Sequence, residues 1–422
     1  MYKKFKLKNG LKVVTHPMPG MQSVALGIWI KVGGRYESTR IKGISHFIEH
    51  MLFKGSKSFS CSKIKESIEG VGGALNGFTS EEATCYLVKI PHQHMELALN
   101  ILSDMVKNPL FSPIDLEKER TVILEEIKMY KDLPHSYVHE LLDGLLWPEQ
   151  PLGESILGTA DSVCGLKRED LIDFKAKNYI PKNIVISAAG LLDHRKLFRM
   201  IEDIFPSCSP AAPGGFEQAK ENQRAPQMKL FNKDTEQTHL ALGFRAFERA
   251  HPLRHALALL NIITGGNMSS RLFNEVREKR GLAYEIGSQL KRFQDTGSFV
   301  VHAGIDNKKV IDAVKVILFE LKKIKDGPVT KDEFRRAKDF YLGQLSLALE
   351  DTLDNMFWIA ESSIFLNKTF TLKEIIREVS GIKLGDIAKA AKLVFNDSSM
   401  NLALIGPLKE SEADIRGILS IG

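Results

Sequence analysis

Two histidines and a glutamate stand close together in the stretch GISHFIEHMLFKGS: His46, Glu49 and His50. Their neighbours Ile44, Phe47, Ile48, Met51 and Leu52 are apolar, so the segment has the make-up of a buried helix that carries three groups costly to bury unpaired. On a helix advancing about 100° per residue, the three fall within about 100° of arc and project from one face. A single histidine in such a helix is more often a hydrogen-bonded core residue than a ligand. Together, two neutral imidazoles one turn apart suit Zn²⁺, and a catalytic zinc takes three protein ligands with a fourth position left for water. The pattern therefore asks for a third ligand from elsewhere in the chain.

Candidates lie in SPIDLEKERTVILEEIKMYKD, which reads as the longest helix, with Ser112 as N-cap, Pro113 in the first turn and Asp115 three positions on. Glu119 and Glu126 are seven residues apart and share a face two turns long. Glu125 points about 100° away from Glu126. On a helix that also carries Lys118, Glu117 and Glu125 have Arg120 and Lys128 as partners three residues along, the arrangement of solvated helix charges. Glu126 lies in an apolar patch between Leu124 and Ile127, where a buried carboxylate needs a partner, and a metal would supply one.

Elements must hold these groups in place. In FKLKNGLKVV, Asn9-Gly10 between alternating apolar residues predicts a hairpin. The apolar run from Val24 to Val32 predicts a strand covered on both faces. SCSKIKESIEGVGG predicts a helix with a serine N-cap and a glycine stop, and GALNGFTSEEATCYLVKI predicts two strands around a polar turn. Ser209 to Gln227, rich in proline, glycine and polar residues, reads as a linker. The expected division is 1–208 for the metal-bearing domain, 209–228 for the linker and 229–422 for a second domain. QSVALGIWIKVGGRYES with ISHFIEHMLFKGS is echoed by QTHLALGFRAFERAHPL with RHALALLNIITGGN, which suggests one α+β unit used twice. Only the first copy has the His-x-x-Glu-His set.

A chain of 422 residues exceeds one ordinary core and predicts two domains. Lys and Arg number 58 against 52 Asp and Glu, a net charge of +6 without a dense basic stripe, so nucleic acid is not an expected partner. The N-terminal MYKKFKLKNGLKVV lacks the apolar core of a secretory signal, and no apolar run reaches the roughly 18 residues of a membrane span, so a cytoplasmic protein is expected. Cys61, Cys85, Cys164 and Cys208 are widely spaced and predict reduced, structural thiols.

The set His46, Glu49 and His50, with Glu126 following 76 positions after His50, resembles the inverted-motif zinc peptidases of the pitrilysin group, and nearest to it the bacterial half-length members akin to mitochondrial processing peptidase. The resemblance covers nearly the whole chain. It implies an α+β fold of two homologous domains, each a mostly antiparallel sheet packed against helices, together forming half of a clamshell. It implies one Zn²⁺ per chain on His46, His50 and Glu126, with Glu49 as general base and Glu119 supporting the site. GGALNGFTSEEATCY is similar to the family's substrate-pairing edge strand, with Gly77 in place of the usual alanine, and makes Asn76, Gly77 and Phe78 candidate binding positions. SSRLFNEVREKRGLAY resembles the family's Arg and Tyr spaced by seven, here Arg277 and Tyr284, which would reach the substrate carbonyl from the second domain. By composition alone these two are a helix charge paired with Asn274 or Glu278 and an ordinary strand aromatic.

The implied activity is zinc-dependent hydrolysis of extended, unfolded or presequence-like peptides, by a homodimer or a heterodimer with a related chain. The competing reading is a non-catalytic scaffold or substrate-binding subunit, whose known examples have lost motif residues that this chain retains. A purely structural zinc would leave Glu49 without a task, and such sites are normally four-ligand and thiolate-rich. Two imidazoles and a carboxylate with an open position also accept Mn²⁺ or Co²⁺.

Overall fold

The computed structural model describes residues 2–206 and 214–422; Cys208 and the first residues of the expected 209–228 linker lie outside them. Residues 214–226 have no regular secondary structure. Cys61, Cys85 and Cys164 are free thiols, as expected.

The fold is α+β, with two sheets. The first contains β1 (Lys3–Lys6), β2 (Lys12–Pro17), β3 (Ser23–Ile30), β4 (Ala74–Thr79), β5 (Thr84–Pro91) and β6 (Ile184–Gly190), in the order β1-β2-β6-β3-β5-β4. The second contains β7 (Gln227–Asn232), β8 (Gln237–Ala246), β9 (Ala283–Arg292), β10 (Gly297–Asp306) and β11 (Met400–Gly406), in the order β7-β11-β8-β10-β9. Without β1, both sheets follow one scheme: the strands taken in chain order lie 1-5-2-4-3 across the sheet. The first and fifth run parallel and every other pair is antiparallel. The faint repeat in the sequence is thus a repeat of topology.

The hairpin around Asn9-Gly10 is present as β1 and β2, with Lys6 opposite Lys12. Strand β3 alternates its side chains between two cores. Val24, Leu26, Ile28 and Ile30 join the cluster beneath the helices Ile44–Leu52 and Met95–Lys107. On the opposite face, Ala25 and Trp29 pack with Met356, Ile359 and Ala360 of the helix Thr352–Phe365. Cover on both faces explains why the run lacks polar alternation.

The chain divides into two compact units. The first comprises Met1–Lys128, Ser155–Glu217 and Ser346–Thr371; the second comprises Met129–Glu154, Gln218–Leu345 and Leu372–Gly422. In the second unit, Val138, Leu141, Leu142 and Leu146 of the helix Pro134–Leu146 cover Ala241, Val300, Ala403 and Ile405 of the sheet. Each unit therefore takes the helix over one sheet face from the far side of the 209–228 boundary. The expected linear division misses this exchange, because an apolar helix stripe shows that a face is buried but not which sheet buries it.

Candidate metal centre

The helix Ile44–Leu52 buries Ile44, Phe47, Ile48, Met51 and Leu52 in the first unit's core, which fixes the direction of its remaining face. Its start is built with unusual care. Gly43 has φ of 90°, a left-handed conformation, and a Cβ there would lie 2.5 Å from the carbonyl oxygen of Leu157. The buried Glu37 carboxylate accepts hydrogen bonds from the backbone N–H groups of Gly43 at 2.8 Å and Ser45 at 2.7 Å. A carboxylate is favoured at this positive helix end, and Lys42 Nζ stands 4.0 Å from it.

Against this face lies the helix Pro113–Asp132, capped at Ser112, whose Oγ accepts from the Asp115 N–H at 3.5 Å. Leu116, Ile123 and Ile127 are buried, and the same side carries Glu119 and Glu126 inward. Glu117 pairs instead with Arg120 and Glu125 with Lys128, as expected of solvated charges.

The two helices bring the expected ligands together. Nε2 of His46 and Nε2 of His50 each lie 3.7 Å from the same oxygen, Oε2 of Glu126. Among the described residues, His46, His50 and Glu126 form the one group of three or more His, Cys, Asp or Glu whose ligand atoms all lie within 4.8 Å of one another. Tetrahedral zinc at about 2.0–2.1 Å from each ligand requires ligand atoms about 3.4 Å apart, so the two separations from Glu126 need only a small contraction to suit the ion. The donor chemistry fits as well: two imidazole nitrogens, one carboxylate oxygen and, among the described residues, no fourth His, Cys, Asp or Glu in the group.

Electrostatics separate the roles. Burial, with the neighbouring His50, lowers the His46 pKa to about 3, which keeps its imidazole neutral and able to ligate. Burial acts the same way on His50, but the Glu119 hydrogen bond and the charges of Glu49 and Glu126 outweigh it and raise the pKa. His50 Nδ1 lies 3.0 Å from Glu119 Oε2, and Lys54 Nζ 2.6 Å from Glu119 Oε1. Glu119 is 5% exposed and, despite burial, its hydrogen bonds from His50 and Lys54 hold its pKa below the usual carboxylate value. A carboxylate on the far nitrogen of a ligating histidine fixes the tautomer and ring angle. His46 Nδ1 has no such partner among the described residues.

Glu49 stands on the same helix face, and Thr79 Oγ1 donates to its Oε2 at 2.7 Å. Burial raises its pKa, the Thr79 hydrogen bond and His50 oppose this, and Glu126 adds to it. Thr79 ends β4, so this bond ties the carboxylate to the edge strand that carries Asn76, Gly77 and Phe78. Asn76 is exposed, whereas the Phe78 ring packs edge-on against Trp29 and Phe357. A Cβ at position 77 would lie 3.0 Å from the Phe53 ring, so an alanine there would require that ring to shift.

The second unit holds Arg277 and Tyr284 beside each other, the Arg277 guanidinium 5.5 Å from the Tyr284 ring centroid. Tyr284 is 76% exposed on β9, an edge strand in the topological position of β4. Arg277 Nε lies 3.9 Å from Glu278. Sequence reasoning gave no task to Thr79, Lys54 or Glu37. Thr79 stands within the strand motif and Lys54 one turn beyond His50, and those positions are the only signals the sequence offers for them.

The fold and this cluster define a class: α+β chains of two like-built units, one bearing an inverted His-x-x-Glu-His site with a distant glutamate. Residues 12–160 match the family model for insulinase (peptidase family M16), and residues 165–341 match that for the peptidase M16 inactive domain. The chain belongs to peptidase family M16. It is 36% identical over 407 residues to an uncharacterized zinc protease of Bacillus subtilis, YmxG, covering 96% of this chain and 98% of that one. An uncharacterized zinc protease of Rickettsia felis is 35% identical over 413 residues, 98% of each. Among solved structures, a protease from Helicobacter pylori superposes with a TM-score of 0.91 at 24% identity, over 96% of this chain and 100% of that one. A chain of complex III2 from Candida albicans gives 0.87 at 21% identity, over 99% of each. At those identities the two structures speak for the fold alone. Among the described residues, no helix is long and apolar enough to cross a membrane.

Proposed function

We propose that this chain is a zinc-dependent endopeptidase, with one Zn²⁺ on His46, His50 and Glu126 and with Glu49 as its general base. The observation that carries this reading is the convergence of both Nε2 atoms on one Glu126 oxygen, with the Thr79-held Glu49 carboxylate on the same helix face. Zinc, when bound, lowers the pKa of a coordinated water to about 7 and polarises a carbonyl. Glu49 takes the proton of the attacking water and returns it to the leaving amine. Thr79 fixes one carboxylate oxygen by donating to it, leaving the other for the proton. Glu119, anchored by Lys54, holds His50 in the tautomer that offers Nε2.

Substrate is an extended, unfolded or presequence-like peptide, paired through its backbone to β4 at Asn76, Gly77 and Phe78; edge-strand addition recognises main chain more than side chain. Arg277 and Tyr284, adjacent on the second unit with the tyrosine open to solvent, are the donors to the substrate carbonyl. By analogy with family members that enclose substrate between two such halves, the working form is a homodimer or a heterodimer with a related chain. A stable, active monomer of 47.3 kDa on gel filtration would contradict that part. The activity itself is tested with a quenched-fluorescent peptide library: cleavage should vanish on chelation and return with one equivalent of zinc per chain. Cleavage that persists without metal would overturn the reading.

A further inference from the structure

A second group of imidazoles lies in the second unit, among residues that play no part in the centre described above. His135 and His139 stand one turn apart on the helix Pro134–Leu146, which covers one face of the second sheet. His239 comes from β8 and His302 from β10. In the β8–β10 register His302 is opposite Ala241 and His239 is opposite Gly304, so both histidines lie on the face where Ala241 meets that helix. The rings meet in two pairs across the gap: His139 with His302 at 5.8 Å between centroids, and His135 with His239 at 6.2 Å.

The His139–His302 pair lacks the hydrogen bonds that hold most buried histidines. Nδ1 of His139 and Nδ1 of His302 are both buried without a hydrogen-bond partner among the described residues. Burying such an atom is unfavourable unless something satisfies it. Space has been left for the His302 ring: Gly287, its partner on β9, is a position where a Cβ would lie 2.9 Å from His302 Nε2. Burial lowers the pKa of His239 and of His302. Burial, then His302, Lys291 and His135, lower that of His139 to about 4. Burial thus favours the neutral, ligating form of His139, His239 and His302. Lys291, the nearby cation, is paired with Asp143, and Glu285 on β9 adds negative charge beside His239 and His302.

We propose that His139 and His302, flanked by His135 and His239, form a second transition-metal site, for a cation of the imidazole-preferring class such as Zn²⁺, Ni²⁺ or Cu²⁺. It differs from the first centre in that no three ligand atoms here lie within 4.8 Å of one another. Two imidazoles bind, and solvent or a rotated His135 completes the coordination. A bound ion would join the helix Pro134–Leu146 to β10 and stabilise that contact in proportion to occupancy.

The test is independent of peptidase activity. Tag-free, zinc-loaded protein, freed of excess metal, is titrated with Ni²⁺ by calorimetry while its zinc content is followed. One further equivalent should bind with zinc unchanged at one per chain; His302→Asn should weaken it at least tenfold and His139→Asn with His302→Asn should abolish it. No further equivalent in the wild type, nickel uptake matched by zinc release, or binding that survives the double variant would each overturn the proposal. Should the double variant fail to fold, Cu²⁺ added to zinc-loaded wild type decides the matter. Nitrogen hyperfine structure from at least two imidazoles in its electron paramagnetic resonance spectrum, with zinc retained at one per chain, supports the site; an oxygen-only spectrum, or a nitrogen signal matched by zinc release, overturns it.

Discussion

The helices that follow the second strand of each five-strand repeat do the same packing with different polar residues. Ile44–Leu52 follows β3 and carries His46, Glu49 and His50; Arg254–Thr264 follows β8 and carries Arg254, His255 and Asn261. In the second helix the charged groups are consumed locally: His255 Nε2 lies 2.9 Å from Glu378 Oε2, which Arg254 also binds, and Tyr341 reaches His255 Nδ1 at 3.4 Å. In the first helix the histidines and Glu126 converge on a common point instead. One topology thus supports charged groups paired with one another in one unit and a cluster with the spacing of a metal-ligand set in the other. Fold supplies the frame, and a handful of side chains decide whether chemistry follows.

Removing a ligand should break the contrast outright. His50→Ala should lose both bound metal and peptide hydrolysis, down to the background rate, as measured by elemental analysis beside a fluorescent assay. The equivalent deletion in the second unit, His255→Ala, should leave both per folded molecule unchanged.

Glu119→Gln should retain the ligands yet weaken zinc binding or turnover by about 10- to 100-fold, because the His50 ring loses its ionised partner. Competition with a chromophoric chelator reads the affinity. Thr79→Val removes the hydrogen bond to Glu49 while keeping the shape, and should lower kcat about tenfold with metal content unchanged. An unaltered kcat would show that Glu49 is positioned by its helix alone.

The smallest effect belongs to the second unit's ion pairs. Glu333 accepts from Arg271 at 2.7 and 2.9 Å. Burial opposes ionisation, but the hydrogen bonds from Arg271 and Thr330 win and lower the Glu333 pKa to about 2. A carboxylate depressed in the folded state contributes stability above its unfolded pKa of about 4.5 and loses it as pH falls towards the folded value. The difference in denaturation midpoint between wild type and Glu333→Gln should accordingly shrink between about pH 4.5 and pH 2; a constant difference would contradict the pairing.

The hairpin at Asn9-Gly10, the twice-covered strand β3, the β4–β5 pair and both site helices were legible because turn chemistry, apolar period and capping act within a few residues of each other. Glu126 was legible as a ligand candidate through its apolar setting and the resemblance, and Glu119 by sharing its face. The exchange of the helices Pro134–Leu146 and Thr352–Phe365 was not, since it depends on which of two apolar sheet faces each one reaches. Nor were Lys54, Thr79 and Glu37, whose partners lie 65, 30 and 6 to 8 residues away and whose types are unremarkable in a helix end, a strand and a loop.

One comparison bears most directly on the proposed chemistry: wild type beside Glu49→Gln, with zinc content and peptide hydrolysis measured on the same samples. One zinc per chain in both, with turnover in the variant reduced at least a hundredfold, is the expected result, because the glutamine keeps the shape and loses only the proton acceptor. A variant that cleaves peptides as fast as wild type, or a wild type that binds no zinc, would contradict it.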